Sequence, residues 1–162
     1  MSRVLLCADT HLGDAGIIRF RKQFSSPEEH DAYIVHRWNH VVGKNDTVYL
    51  LGDAAFTLQA VETARELRGH KILIRGNHDK LNHFHYAWAF DDVRGGLKYK
   101  GAWLTHIPMH PDELRGCPNI HGHTHQHIID NPWYLNVCME QINYRPLPFT
   151  EAMDTLLSRI PL

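Results

Sequence analysis

The feature that most constrains this chain is a repeated juxtaposition: short apolar runs, each ending on residues able to bind a cation. Arg3-Val-Leu-Leu-Cys-Ala8 runs into Asp9-Thr10-His11, Thr47-Val-Tyr-Leu-Leu51 into Gly52-Asp53, and Lys71-Ile-Leu-Ile74 into Gly76-Asn77-His78-Asp79. Later, Ala102-Trp-Leu104 leads to Thr105-His106, and Asn119-Ile120 to His121-Gly-His-Thr-His125. Unbroken rather than alternating apolar runs suit strands covered on both faces. Open α/β sheets place ligands beyond the carboxyl ends of such strands. Groups far apart in sequence are therefore expected along one rim of one sheet.

The segments between these runs read as helices and turns. Ser26 is an expected N-cap, Pro27 a first helical residue and Glu29 the partner of a capping box, with Ala32, Val35, Trp38 and Val42 as the inner stripe. Thr57 caps a second helix with Val61, Ala64 and Leu67 inward. Gly95-Gly96 is expected to turn a hairpin between Asp92-Val-Arg94 and Leu97-Lys-Tyr99. Trp133 to Val137 reads as a strand, and Thr150 as the cap of a last helix with Met153, Leu156 and Leu157 inward. The period-two aromatics Phe84, Tyr86, Trp88 and Phe90 suggest a buried or lid-like segment.

Composition narrows the class. Fourteen His stand out, and His is both a common metal ligand and the usual proton carrier near neutral pH. Lys and Arg total 17 against 18 Asp and Glu, a net charge of -1, which gives no support for a broad nucleic-acid footprint. The three Cys form no CxxC pair, so a four-Cys structural metal site is not expected and buried thiols in a cytoplasmic protein are. The early apolar run Val4 to Ala8 is too short for a leader or a membrane span. One domain over residues 1–162 is expected.

The blocks Asp9-Thr-His11, Gly52-Asp53, Gly76-Asn-His-Asp79, His106 and Gly122-His-Thr-His125, in that order, resemble those of the calcineurin-like metallophosphoesterase family over residues 1 to about 140. The stretches Ile17-Ile-Arg-Phe20, Asn45 to Asp53 and Asn136 to Pro146 are further similar to a branch of small stand-alone phosphoesterases common in bacteria and phages. The resemblance implies an α/β fold (α+β in some schemes): a four-layer sandwich of two mixed β-sheets flanked by helices. It implies two divalent metal ions, Mn first, with Fe, Ni and Zn open. Asp9, His11, Asp53 and His125 would form the first site, and Asp53, Asn77, His106 and His123 the second, so that Asp53 bridges. A water or hydroxide shared by the ions would be the nucleophile, and His78 the acid that protonates the leaving oxygen.

Other residues carry open readings. Asn77, Arg75, Arg19 and Arg21 are candidates to touch substrate, the arginines through a bidentate grip on phosphate or as mere solvated charges. Asp79 would orient a ligand imidazole or favour a helix start, and His121, alternating with His123 and His125, would stand behind the ligands or near substrate. Two departures stand out. Ala54, Ala55 and Phe56 occupy the stretch where much of the family carries a carboxylate that supports the catalytic His, and Asp14 stands where the branch often has His. The expected substrate is a small phosphodiester, cyclic or terminal-nucleotide in type, with a phosphomonoester or a silent metal-containing binding module as alternatives. A long nucleic acid is not expected, though a terminus fits. No membrane partner is expected, and the chain is a monomer or homodimer.

Overall fold

The computed structural model describes residues 2–160. Strands β1 (Val4–Cys7), β2 (Thr47–Leu50) and β3 (His70–Ile74) lie parallel, with Val4 opposite Thr47 and Thr47 opposite His70. Leu5, Leu6, Cys7, Val48, Leu50, Leu73 and Ile74 are all fully buried, as unbroken apolar strands covered on both faces require. Strand β4 (Asp92–Arg94) extends this sheet parallel to β3. A further strand met later in the chain, β9 (Leu147–Pro148), closes its other edge antiparallel to β1. The edge position tolerates Pro148, which has no N–H to give a ladder.

The second sheet has the order β5-β6-β7-β8, from β5 (Leu97–Tyr99), β6 (Ala102–Thr105), β7 (Asn119–His121) and β8 (Tyr134–Asn136). Strands β5 and β6 are antiparallel, whereas β6, β7 and β8 run parallel. The fold is thus two mixed sheets flanked by helices, the four-layer metallophosphoesterase-type sandwich. The helices are α1 (Pro27–Val41), α2 (Leu58–Arg65), the short α3 (His83–Tyr86) and α4 (Phe149–Leu157). Helix α4 touches β1 and β9 of one sheet and β8 of the other.

Several local expectations are corrected. Gly95-Gly96 turns no hairpin: β4 pairs with β3 and β5 with β6, so the glycines carry the chain from one sheet to the other. The hairpin turn is Lys100-Gly101, whose φ angles of 43° and 88° are those of a two-residue I′ loop. Helix α1 buries His30, Ile34 and Trp38 and leaves Ala32 exposed, because His30 is held inside by hydrogen bonds to Arg21 and Asp31. Its cap is Ser26, but Glu29 reaches back to Ser25 N at 2.7 Å, one residue earlier than a capping box prescribes. Helix α4 starts at Phe149, before Thr150, and turns Leu157 outward while Phe149, Ala152 and Leu156 face in. Of the period-two aromatics, expected in a buried or lid-like segment, Tyr86 and Phe90 are buried and Phe84 and Trp88 exposed, because α3 and the turns after it set a four-residue spacing. No helix among the described residues is long and apolar enough to cross a membrane.

Candidate metal centre

The rim is drawn from both sheets, not one. Asp9 and His11 follow β1, Asp53 follows β2 and Asn77 follows β3, while His106 follows β6 and His123 and His125 follow β7. Five of these seven residues (Asp9, His11, Asp53, His123 and His125) hold φ between 48° and 69°. Non-glycine residues rarely adopt this left-handed conformation, and it gathers where a site demands it. Here it turns the side chains off the strand ends toward a common point. Gly52 and Gly122 allow the approach: a methyl at Gly52 would lie 2.3 Å from His106 Nδ1, and one at Gly122 would lie 2.4 Å from Asp9 Oδ2.

Two clusters of potential ligand atoms result, Asp9 with His11 and His125, and Asp9 with Asp53 and His106, each with its atoms within 4.8 Å of one another. Asp9 Oδ1 lies 3.7 Å from His11 Nε2 and 3.6 Å from His125 Nε2. Asp53 Oδ2 lies 3.7 Å from His11 Nε2 and 3.5 Å from His106 Nε2, so it borders both clusters. His106 Nε2 and His123 Nδ1 converge on Asn77 Oδ1 at 2.8 and 2.9 Å. Asp9 Oδ1 and His11 Nε2 are buried with no hydrogen-bond partner. Buried polar atoms are rarely left so, and a cation between a carboxylate oxygen and an imidazole nitrogen would satisfy both. The donor set of Asp, His and Asn suits divalent ions of borderline hardness.

Outer contacts aim these atoms. His106 Nδ1 donates to Leu51 O at 2.8 Å, which directs Nε2 inward. His11 Nδ1 donates to Asp14 at 2.8 Å, so Asp14 serves as orienter of a candidate ligand. Burial opposes charge on the His11 ring, but Asp14 and Asp9 outweigh it and raise its pKa to about 9. This is a place where positive charge is favoured. For Asp9 burial acts upward, yet His11, His106, His125 and the His123 amide hold its carboxyl below the usual value.

Glu140, which lies within the branch-similar stretch Asn136 to Pro146 but is not among the candidate site residues read from sequence, does the same for His125, whose Nδ1 lies 3.0 Å from Oε1. Burial pushes the Glu140 carboxyl up, but His125 and Arg21 bring it down to about 2. Its signal in sequence is weak, since it lies in an irregular segment and shares no motif with His125. Cys138 also borders the site, its Sγ 3.1 Å from Asp9 Oδ2, where burial and the Asp9 charge push the thiol well up.

The remaining candidates are distributed unevenly. Asn77 and His78 are exposed at the rim. The His78 ring stacks on Phe56 at 5.6 Å and 17°, and its amide donates to Asp53 Oδ1 at 2.9 Å. The aromatic ring thus supports the imidazole from the segment where a carboxylate was missed. Arg21 is 1% exposed and faces inward, donating to Glu140 at 2.8 Å and to Asp9 O at 2.7 Å. Its role is to brace the ligand loops, because those partners hold the guanidinium below the surface. Arg19 is exposed and outside the cleft lining. Arg75 donates to Asp79 O and Leu81 O and lines a separate recess with Asn77 and His106.

Asp79 hydrogen-bonds no ligand imidazole and starts no helix. Its carboxylate accepts amides from Asp53 at 2.9 Å, Ala54 at 2.8 Å and Gly76 at 2.7 Å, tying the loop after β2 to the loop after β3. Burial drives its pKa up against these amides. His121 is fully buried, with Nδ1 donating to Gly122 O at 2.8 Å and its ring edge-on to Tyr134, and it lines a recess that none of the cluster residues lines.

No protein-family model matches the chain. The chain is 34% identical over 160 residues to Uncharacterized protein MJ1445 of Methanocaldococcus jannaschii, a match that covers 91% of this chain and 87% of that protein. It is 37% identical over 166 residues to the Gene 66 protein of Mycobacterium phage L5, covering 80% of each. This chain belongs to their family. The Gene 66 protein of Mycobacterium phage D29 is 28% identical over 179 residues, a match that covers 86% of this chain and 89% of that protein. Among solved structures, the protein AQ665 of Aquifex aeolicus aligns with a TM-score of 0.78 at 23% identity, over 95% of this chain and 99% of that one. Pseudomonas putida nuclease MPE aligns with a TM-score of 0.54 at 22% identity, over 76% of this chain and 62% of that one. These likenesses establish the fold, and the two ligand clusters are consistent with a metallophosphoesterase-like superfamily.

Proposed function

We propose that this chain is a calcineurin-like, dinuclear-metal-dependent phosphoesterase of the small stand-alone branch, acting on a small phosphodiester. The observation that carries the reading is the pair of buried, unpartnered atoms Asp9 Oδ1 and His11 Nε2 inside two interlocking ligand clusters. Asp9, His11, Asp53 and His125 would hold one ion and Asp53, Asn77, His106 and His123 the other, with Mn favoured. Ions so placed supply Lewis acidity to phosphate oxygens and acidify water. The protein's part is to position and to move a proton. His78, beside the clusters yet outside them, donates its proton to the ester oxygen of the departing alcohol. Asp14, Glu140 and the Leu51 carbonyl keep three imidazoles aimed while this happens.

A diester is favoured over a monoester by charge. The cleft beside His78 is lined by Asp14 and Glu140 and by no Lys or Arg among the described residues. An uncharged ester group suits that lining better than a further anionic phosphate oxygen, which is what a monoester adds. The likeness to the Pseudomonas putida nuclease fits a nucleotide-type diester, a strand terminus included. Three unpaired thiols, Cys7, Cys117 and Cys138, fit action in the cytoplasm.

The test is a kinetic panel on Mn-loaded protein with phosphomonoesters, 2′,3′- and 3′,5′-cyclic nucleotides, open diesters and short RNA or DNA. Turnover of a diester is expected, and failure to turn over any of them refutes the enzyme. His78→Ala should keep both metals by elemental analysis while losing about 10²-fold or more in rate on esters with poor leaving groups. Loss of one metal would contradict the role given to His78.

A further inference from the structure

Beside the rim lies a cleft of about 520 Å³, within the range of small-ligand sites. Phe20 and Phe56 line it together with His11, His78 and His125, and with the carboxylates of Asp14 and Glu140. Phe20 is 72% exposed, but its backbone is fixed. It ends the 3-10 turn Ile17–Arg19 and is flanked by Ile17, 2% exposed, and Arg21, 1% exposed. Its amide donates to Ile17 O at 2.9 Å, and Arg21 is locked to Glu140 and to the Asp9 carbonyl. The loop is anchored on both sides of a ring held out toward solvent. An exposed aromatic ring on an anchored loop, next to a cluster of candidate metal ligands, is an arrangement able to bind a flat, partly polar group by stacking.

We propose that this cleft takes the nucleoside of a phosphate ester, its base lying against Phe20, and that this nucleoside is the leaving group. The assignment rests on the phosphoesterase reading and names its substrate class. The direction follows from His78. It lines the same cleft, so the ester oxygen nearest its ring belongs to the group seated there. In the step, a water oxygen bonds to phosphorus as the phosphorus–oxygen bond to the nucleoside breaks. His78 gives its proton to that oxygen, the nucleoside leaves as an alcohol, and the proton lost by water restores the imidazolium. No oxidant or reductant is needed.

Binding tests the cleft apart from turnover. Calorimetry on Mn-loaded protein should show adenosine 5′-monophosphate binding at least about 10-fold more tightly than ribose 5-phosphate, which has the phosphate without the base. Phe20→Ala should abolish that preference, Phe20→Trp should keep it, and Phe84→Ala, which removes an exposed ring elsewhere, should leave it unchanged. Equal affinities in the parent protein overturn the proposal, as does a Phe20→Ala variant that weakens both ligands alike. In kinetics, Phe20→Ala should lower the ratio of kcat/KM for a thymidine dinucleotide to that for a glycerol–ethyl phosphodiester by about 10-fold. An unchanged ratio refutes the seating of the leaving group. If no ester is turned over while the base preference stands, the hydrolytic reading fails and the base site survives it.

Discussion

Replacing Asp79 by Asn tests how the ligand loops are held. The carboxylate receives Asp53 N and Gly76 N on Oδ2 and Ala54 N on Oδ1, at 2.7 to 2.9 Å, in a side chain that is 3% exposed. Asn has one acceptor oxygen. If that oxygen stays where two amides meet, the new NH2 group faces the Ala54 N–H, donor against donor. An unsatisfied buried donor costs about 1–3 kcal/mol, and two are confronted here, so a loss of about 3 kcal/mol is expected. At about 2–4 °C per kcal/mol for a chain of this size, the Tm should fall by about 6–12 °C. Urea and thermal unfolding followed by circular dichroism would measure it. A loss below about 0.5 kcal/mol would refute the reasoning. If weakened metal binding accompanied unchanged stability, Asp79 would be acting on a ligand and not on the backbone.

Three further outcomes are expected. Glu140→Ala should weaken metal affinity about 10- to 100-fold, because His125 Nδ1 loses its partner and Arg21 one of several; titration with Mn followed by calorimetry checks it, and unaltered affinity would deny Glu140 an orienting role. Gly52→Ala should lose the ion nearest His106, since its methyl would sit 2.3 Å from His106 Nδ1 at a φ of 86°; elemental analysis reads the stoichiometry, and two retained metals contradict it. Asp46 accepts Arg3 Nη2, Arg3 N and Gly43 N, and the Arg3 side chain chiefly lowers its pKa from 3.8 to about 2. Its stabilisation is therefore complete above the unfolded value and lost as pH falls toward 2. Asp46→Asn should cost about 1 kcal/mol at pH 7, discounted for the half-exposed Arg3, and progressively less in acid; a deficit constant from pH 7 to 2 would refute the linkage.

What sequence could reveal divides along physical lines. The strand ends were legible because unbroken apolar runs followed by Asp, Asn and His combine burial with coordination chemistry in adjacent residues. Ser26 and Thr57 were legible for the same local reason, as capping residues beside their helices. Glu140 and the inward turn of Arg21 were not, because they depend on partners 119 residues apart in the chain. Lys100-Gly101 escaped notice because a Lys in the left-handed region has no composition cue, whereas Gly95-Gly96 has the cue without the hairpin. The left-handed conformations of Asp9, His11, Asp53, His123 and His125 are likewise invisible in side-chain identity. They are imposed by the surrounding packing.

That the rim takes ligands from both sheets has a mechanical consequence. Asp9, His11, Asp53 and Asn77 ride on one sheet, and His106, His123 and His125 on the other. Ions shared among them would act as rivets through the seam, doing for a chain whose three Cys are free what a disulfide does elsewhere. They would favour the native state alone. Stripping them would thus free the two sheets to shift against each other, so that the event that would silence the proposed chemistry would also soften the joint on which the cleft depends.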